Sequence, residues 1–161
     1  MLYLTKLLEK VSLAFLALFV AVMMAMVFLS VIGRFWPIIY FPWYQEVSTG
    51  CFIWVGFLGA SIGVKQGGHF LVDVVSKRFK KTGKKYLSLM VYLLVLIVSV
   101  IMLRIGYDFT KLGMMTISPL TKLPSTWIYI SVPIGASLSL IYSIEKILAV
   151  LGILDTDYEI I

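Results

Sequence analysis

Four long stretches of this 161-residue chain carry no Asp, Glu, Lys or Arg. Val11–Gly33, Val47–Val64, Tyr86–Leu103 and Leu123–Ile144 are 23, 18, 18 and 22 residues long. A helix needs about 20 residues to cross a hydrocarbon layer roughly 30 Å thick. Backbone polar groups inside lipid must be satisfied within the segment, so runs of this length predict helices. A membrane barrel would need alternating segments of about 10 residues, a pattern the chain does not show.

Composition agrees with this. Hydrophobic residues make up 61% and charged residues 14%, whereas soluble domains run near 45–50% and about 25%. Too little surface is lost on folding to hide that excess in water. An ordinary soluble enzyme and a disordered segment are therefore excluded. Cys51 is the only cysteine and His69 the only histidine. A disulfide framework, a multi-thiolate metal site and a bis-histidine haem within this chain are excluded with them. The expected fold is an all-α integral membrane domain over residues 1–161. Its spans are predicted at about 11–33, 45–65, 86–107 and 125–151. The first run exceeds the 7–15 residues usual for a signal peptide core, and no A-x-A-like site precedes Arg34. It reads as a retained anchor.

Lys and Arg in short connections set topology. Lys6 and Lys10 precede the first run, and Lys65, Lys77, Arg78, Lys80, Lys81, Lys84 and Lys85 separate the second from the third. The other connections carry Arg34 alone, or Arg104, Lys111 and Lys122 offset by Asp108. Both termini are thus expected in the cytoplasm. The net charge of +6 is an orientation signal and not a nucleic-acid patch.

Three segments are more than plain spans. HFLVDVVSKRF, from His69, places Phe70, Leu71, Val74, Val75 and Phe79 on one helical side and Asp73, Ser76, Lys77 and Lys80 largely on the other. This predicts a short interfacial helix over about 69–80, lying on lipid headgroups. Residues 33–45 gather Trp36, Tyr40, Phe41, Trp43 and Tyr44, the aromatic belt of a membrane boundary. Residues 108–125 form a proline-broken loop, with Ser125 a candidate N-cap and Arg104 spaced to pair with Asp108. Gly56, Gly59, Ala60 and Gly63 have the small-x-x-x-small spacing of close helix packing. Pro133 should bend the fourth helix, and Pro133 and Gly135 are expected to pack closely there as well.

Candidate chemistry is sparse. Arg34, Glu46, Arg104 and Asp108 fall at predicted outer ends, Glu145 and Lys146 at an inner end, and His69 and Asp73 on the interfacial segment. None is predicted at mid-span, where a coupling carboxylate is expected. No metalloprotease motif, phosphate loop or activated nucleophile is present in the sequence. His69 and Asp73, i and i+4, are better read as polar contacts than as a ligand pair. No cofactor is expected.

The motifs in order resemble those of the DctQ-type small membrane subunit of tripartite ATP-independent periplasmic (TRAP) transporters. They are Val31-Ile32-Gly33-Arg34-Phe35, Trp43-Tyr44-Gln45-Glu46, Phe57-Leu58-Gly59-Ala60, Gly68-His69-Phe70-Leu71-Val72-Asp73, and Leu123-Pro124 before Tyr129 and Pro133-Ile134-Gly135. The family often has two acidic residues in the Trp motif, where this chain has Gln45 then Glu46. The resemblance implies a bacterial inner-membrane scaffold subunit of a sodium-coupled transporter for organic acids such as dicarboxylates or sialic acid. It implies a large multi-span partner and a periplasmic solute-binding protein. Arg34, Trp43 and Glu46 would be anchors at the outer face, and His69 and Asp73 at the inner. Glu46 is expected to satisfy Arg34 or a helix-end amide. The competing reading is a self-contained homodimeric carrier, proton- or ion-coupled through Glu46. A respiratory membrane anchor is a third, and the single histidine argues against a haem-bearing form.

Overall fold

The computed structural model describes residues 2–35, 41–67 and 81–151. The segment 69–80, with His69 and Asp73, lies outside the described residues, as do Trp36 and Tyr40. Four long helices dominate: α1 (Leu2–Phe35), α2 (Trp43–Gln66), α3 (Lys81–Met115) and α5 (Ser131–Leu151), with a single turn α4 (Thr126–Tyr129) leading into the last. Among the described residues four stretches are long and apolar enough to cross a membrane, Thr126–Leu151 counting as one. The chain is an all-α, four-span membrane protein.

The break between α4 and α5 follows from Pro133. Proline has no N–H to give to the carbonyl four residues back, and its ring crowds that turn. That carbonyl belongs to Tyr129, where α4 ends. Ser125 occupies the N-cap position of α4, but its hydroxyl makes no capping bond. Its carbonyl instead accepts the N–H groups of Ile128 and Tyr129.

Packing is sequential. The extended contacts are α1 on α2, α2 on α5, and α5 on α3. A third of the most apolar stretch of α2 is buried and a third of that of α5, against none in α1 and 6% in α3. The pairs Gly50–Trp127, Phe57–Gly135 and Lys65–Glu145 keep nearly the same separation in sequence, so α2 and α5 run in the same direction. Gly106 lies beside Val132 and Pro133, and Gly113 beside Thr126 and Tyr129, so α3 runs opposite to α5.

Buried positions recur every seven residues. They are Thr5 and Ser12 on α1; Tyr44, Cys51, Leu58 and Lys65 on α2; Ser99, Gly106 and Gly113 on α3; and Gly135 and Tyr142 on α5. A repeat of seven is slightly under the natural phase of a helix and keeps one seam facing its neighbour in a shallow left-handed crossing. Most of these residues are small or polar, which inverts the rule for soluble proteins. Lipid is as apolar as leucine, so helix association rests on close approach and polar contact. The hydroxyls inside are made compatible with an apolar setting by bonding back along their own helix. Ser61 Oγ donates to Leu58 O (2.7 Å), Ser99 Oγ to Val95 O (2.7 Å) and Ser137 Oγ to Pro133 O (2.7 Å).

Glycine serves unequally. A Cβ on Gly135 would lie 2.7 Å from Phe57 Cβ and 3.0 Å from Phe57 O, so the backbones of α2 and α5 come together there. Gly106 is in the same position against Pro133 and Val132. Gly56 and Gly63 have nothing within 4 Å of such an atom, Gly59 meets only Leu16 at 3.6 Å, and Ala60 is exposed. The small residues of α2 singled out by spacing thus lie on its open side.

The level of α3 differs from that of its neighbours. Tyr92, well inside α3, reaches the vicinity of Gly67 just past the end of α2. Tyr86 and Met90, 71% and 63% exposed, lie beyond that level. The uncharged stretch of α3 is therefore displaced toward the Lys65 end of the molecule.

Gly135→Ala and Gly56→Ala should shift stability in opposite directions. Alanine is a better helix former than glycine by about 1 kcal/mol, so Gly56→Ala should raise the detergent-solubilised melting temperature. At Gly135 overpacking should outweigh that gain, with a cost of about 1–3 kcal/mol. Equal shifts in a thermal melt would contradict the close approach.

Candidate functional site

Two polar fastenings lie on α2, one near each end. Lys65, in the last turn, is 3% exposed, and Glu145 of α5 is 4% exposed. Lys65 Nζ donates to both carboxylate oxygens of Glu145 at 2.6 Å and to Thr5 Oγ1 of α1 at 3.2 Å. Below the ammonium lies the ring of the fully buried Tyr142, with its centroid at 5.6 Å. Lys146, also buried, is within electrostatic range of Lys65, Glu145 and Glu9. Residues of α1, α2 and α5 thus converge on one ion pair, and Tyr92 of α3 and Lys146 of α5 both approach the adjoining Gly67.

The local sequence explains the convergence. Lys65 is at the carboxyl end of α2, where exposed carbonyls favour a cation. Gly67 follows in the left-handed conformation (φ 68°) and its N–H closes the helix on Gly63 O and Val64 O. Tyr142 and Glu145 are three apart, and Tyr142 and Lys146 four, so α5 presents all three along one face. Within an apolar environment neither partner of the pair is tolerable alone.

The second fastening is at the opposite end. Glu46, in the first turn of α2, accepts the Thr121 backbone N–H at 3.0 Å and the Thr121 hydroxyl at 3.1 Å. Both carboxylate oxygens are engaged, at a helix amino end that itself favours negative charge. The loop held this way is tight. Ser118 N–H donates to Leu123 O, Lys122 N–H to Ser118 O, and Ser125 N–H to Thr116 O. Lys122 adopts a positive φ of 56°, a conformation uncommon outside glycine. Glu46 was expected to meet Arg34 or a helix-end amide; it holds the loop between α3 and α4 instead. Nineteen residues separate Glu46 from Lys65, about 28 Å along a helix, which matches the hydrocarbon thickness of roughly 30 Å.

The remaining predicted residues are dispersed. Arg34 is exposed at the end of α1, and Trp43 is 38% exposed, packed edge-on against Tyr44 at 4.4 Å. Arg104 and Asp108 are both exposed and form no ion pair with a described residue. Sequence reasoning passed over the Lys65–Glu145 site. Lys65 entered only the count of loop charges, and Glu145 only as a span end. The seven-residue recurrence of Tyr44, Cys51, Leu58 and Lys65 puts Lys65 on the buried seam of α2, but nothing in it names Glu145 as the partner. Among the described residues no group of three His, Cys, Asp or Glu is placed to hold a metal ion.

The sequence model of the DctQ component of tripartite ATP-independent periplasmic transporters matches residues 23–152. The chain belongs to that family. The match runs through α2, α3, α4 and α5, and so takes in Glu46, Lys65, Thr121 and Glu145. Two characterised relatives are similar over part of their length. The C4-dicarboxylate TRAP transporter small permease protein DctQ of Rhodobacter capsulatus is 28% identical over 98 residues, 60% of this chain and 43% of the relative. The sialic acid TRAP transporter permease protein SiaT of Haemophilus influenzae (strain 86-028NP) is 25% identical over 103 residues, 64% of this chain and 17% of the relative. The chain thus spans less than half the length of either. Membership of the DctQ family, with four apolar helices, makes it a multi-pass bacterial inner-membrane protein.

Lys65→Met alone should destabilise the chain by about 3–5 kcal/mol, because it strands Glu145. Adding Glu145→Leu should restore most of the loss. Thermal melts of the two single variants and the double variant in detergent form a cycle that measures the coupling. An additive double variant would mean that the pair is not the fastening described.

Proposed function

We propose that this DctQ-family chain is the scaffold subunit of a TRAP transporter: it does no chemistry and carries no substrate itself. It steadies a large transporting permease and assists docking of a periplasmic solute-binding protein. The single observation that carries this reading is how its polar groups are spent. Lys65 with Glu145 joins helices, and Glu46 with Thr121 fixes a loop. Meanwhile α1 and α3 leave large apolar side chains such as Phe28 (66%), Phe15 (51%), Met90 (63%) and Leu94 (52%) uncovered. A chain built to be held rigid, with two of its long helices open along their lengths, suits support of a larger membrane body. That the similar segment of SiaT is 17% of a longer permease chain favours the same reading.

The transported class would be organic acids, in line with the C4-dicarboxylate and sialic acid named for the relatives, with sodium as the coupling ion. Both termini would face the cytoplasm. The carrier alternative asks Glu46 to bind and release a coupling ion, a role hard to combine with two hydrogen bonds that hold a loop. The outer anchoring assigned to Glu46 is favoured over coupling on that ground.

The test is uptake of a labelled organic acid by cells expressing the large permease and binding protein, with and without this chain. Omission should reduce sodium-dependent uptake to background. Full uptake without it would overturn the scaffold role. Substrate-dependent ion flux by this chain alone in liposomes would favour the carrier instead.

A further inference from the structure

The charged face of α3 sits between the levels of the two fastenings and is turned away from the other described helices. Gly106 touches Pro133, and α3 runs opposite to α5, so Arg104 is level with Gly135. Gly135 in turn meets Phe57. Phe57 is eleven residues from Glu46 and eight from Lys65 along α2, or about 16 Å and about 12 Å. Arg104 is therefore near the middle of the layer that the two fastenings bound. By the same register Asp108 is about 10 Å inside the Glu46 level and Lys111 about 6 Å. At 100° per residue all three lie on the side of α3 opposite its buried seam of Ser99, Gly106 and Gly113. All three are exposed. Lys111 leans on the ring of Tyr107, 4.5 Å from its centroid, and Tyr107 is itself 59% exposed.

Lipid is a poor neighbour for such a face. Ionised side chains at mid-membrane face a protein interior or water and find partners. Snorkelling helps Lys111 near the boundary, but an arginine side chain is too short to span the distance from the Arg104 position. The small residues of α2 are open too, yet they carry no charge that must be matched.

We infer that the Arg104–Tyr107–Asp108–Lys111 face of α3 is the docking surface for the large permease subunit, which presents a carboxylate to Arg104 within the membrane. This rests on the scaffold reading above. Charge selects that occupant over a second copy of the chain. Two copies in one membrane share an axis along the membrane normal, so residues of equal depth meet. Arg104 would then face Arg104, on a surface with two cations and one anion. A partner with net negative charge at this depth removes the conflict, and the planar guanidinium favours a two-pronged bond to a carboxylate.

Two measurements test this on the chain co-expressed with its large permease. A photo-crosslinking aromatic residue at Tyr107 should give a product with the mass of this chain plus the permease, while the same probe at Leu18, on the exposed side of α1, should not. Arg104→Leu should lower the co-purified permease at least about tenfold, since it strands a buried partner charge, and Arg104→Lys should lose less. Were Arg104 facing lipid, leucine would be neutral or favourable. Crosslinks at Tyr107 only to lipid or to a second copy, or wild-type recovery with Arg104→Leu, would overturn the inference and leave the scaffold reading standing. Failure of the wild-type chain to co-purify with the permease would overturn both.

Discussion

One buried ion pair sets the geometry of this molecule. Lys65 and Glu145 are almost wholly removed from solvent, and in an apolar medium neither charge is bearable without the other. Removing one partner therefore costs far more than removing both. Buried pairs of this kind contribute little net energy relative to a well-packed apolar pair, but they are unforgiving of misregister. A slip of one residue between α2 and α5 would rotate one partner by 100° and break the contact. The backbone approach at Gly135 and Phe57 then fixes the same two helices higher up. Thr5 brings α1 to the same level, and Tyr142 supplies a ring beneath the ammonium.

The Glu46–Thr121 contact complements this at the opposite end. A connection running from α3 to α4 has no apolar helix to hold it, and the carboxylate of a neighbouring helix fixes it in its place. Together the two contacts divide the labour. One determines which helices are neighbours; the other determines how their far ends are roofed.

The count of helices was legible in the sequence because charge is costly within a span, so each span leaves a long uncharged run even where, as in α3, charged residues also fall inside it. The partnership of Lys65 and Glu145 was not, because eighty residues separate them and each has a sufficient local explanation. The spacing of Gly56, Gly59, Ala60 and Gly63 predicts a packing face, yet among the described residues the closest approaches fall at Gly135, which the sequence also marks, and at Gly106 and Gly113, which it does not. Four-residue spacings catch the eye, whereas the seven-residue seam is diluted by apolar residues between its members. Arg104 and Asp108 illustrate the largest gap. Their spacing suggested a mutual pair at a helix end, and their depth depends on how far α3 slides along α5. No local pattern encodes that slide. It follows from Gly106 fitting against Pro133, a contact between residues distant in the chain.

The displaced level of α3 has a mechanical consequence for the lipid around it. The apolar belts of α1 and α3 sit at different heights, so no flat bilayer can wet both. An isolated copy must lean, or the bilayer must thin and thicken around it, at a cost of a fraction of a kcal/mol for each ångström of mismatch. Covering α3 with another protein removes that deformation. The strain on the surrounding lipid would thus belong to the orphan copy and be relieved by a partner lying along α3.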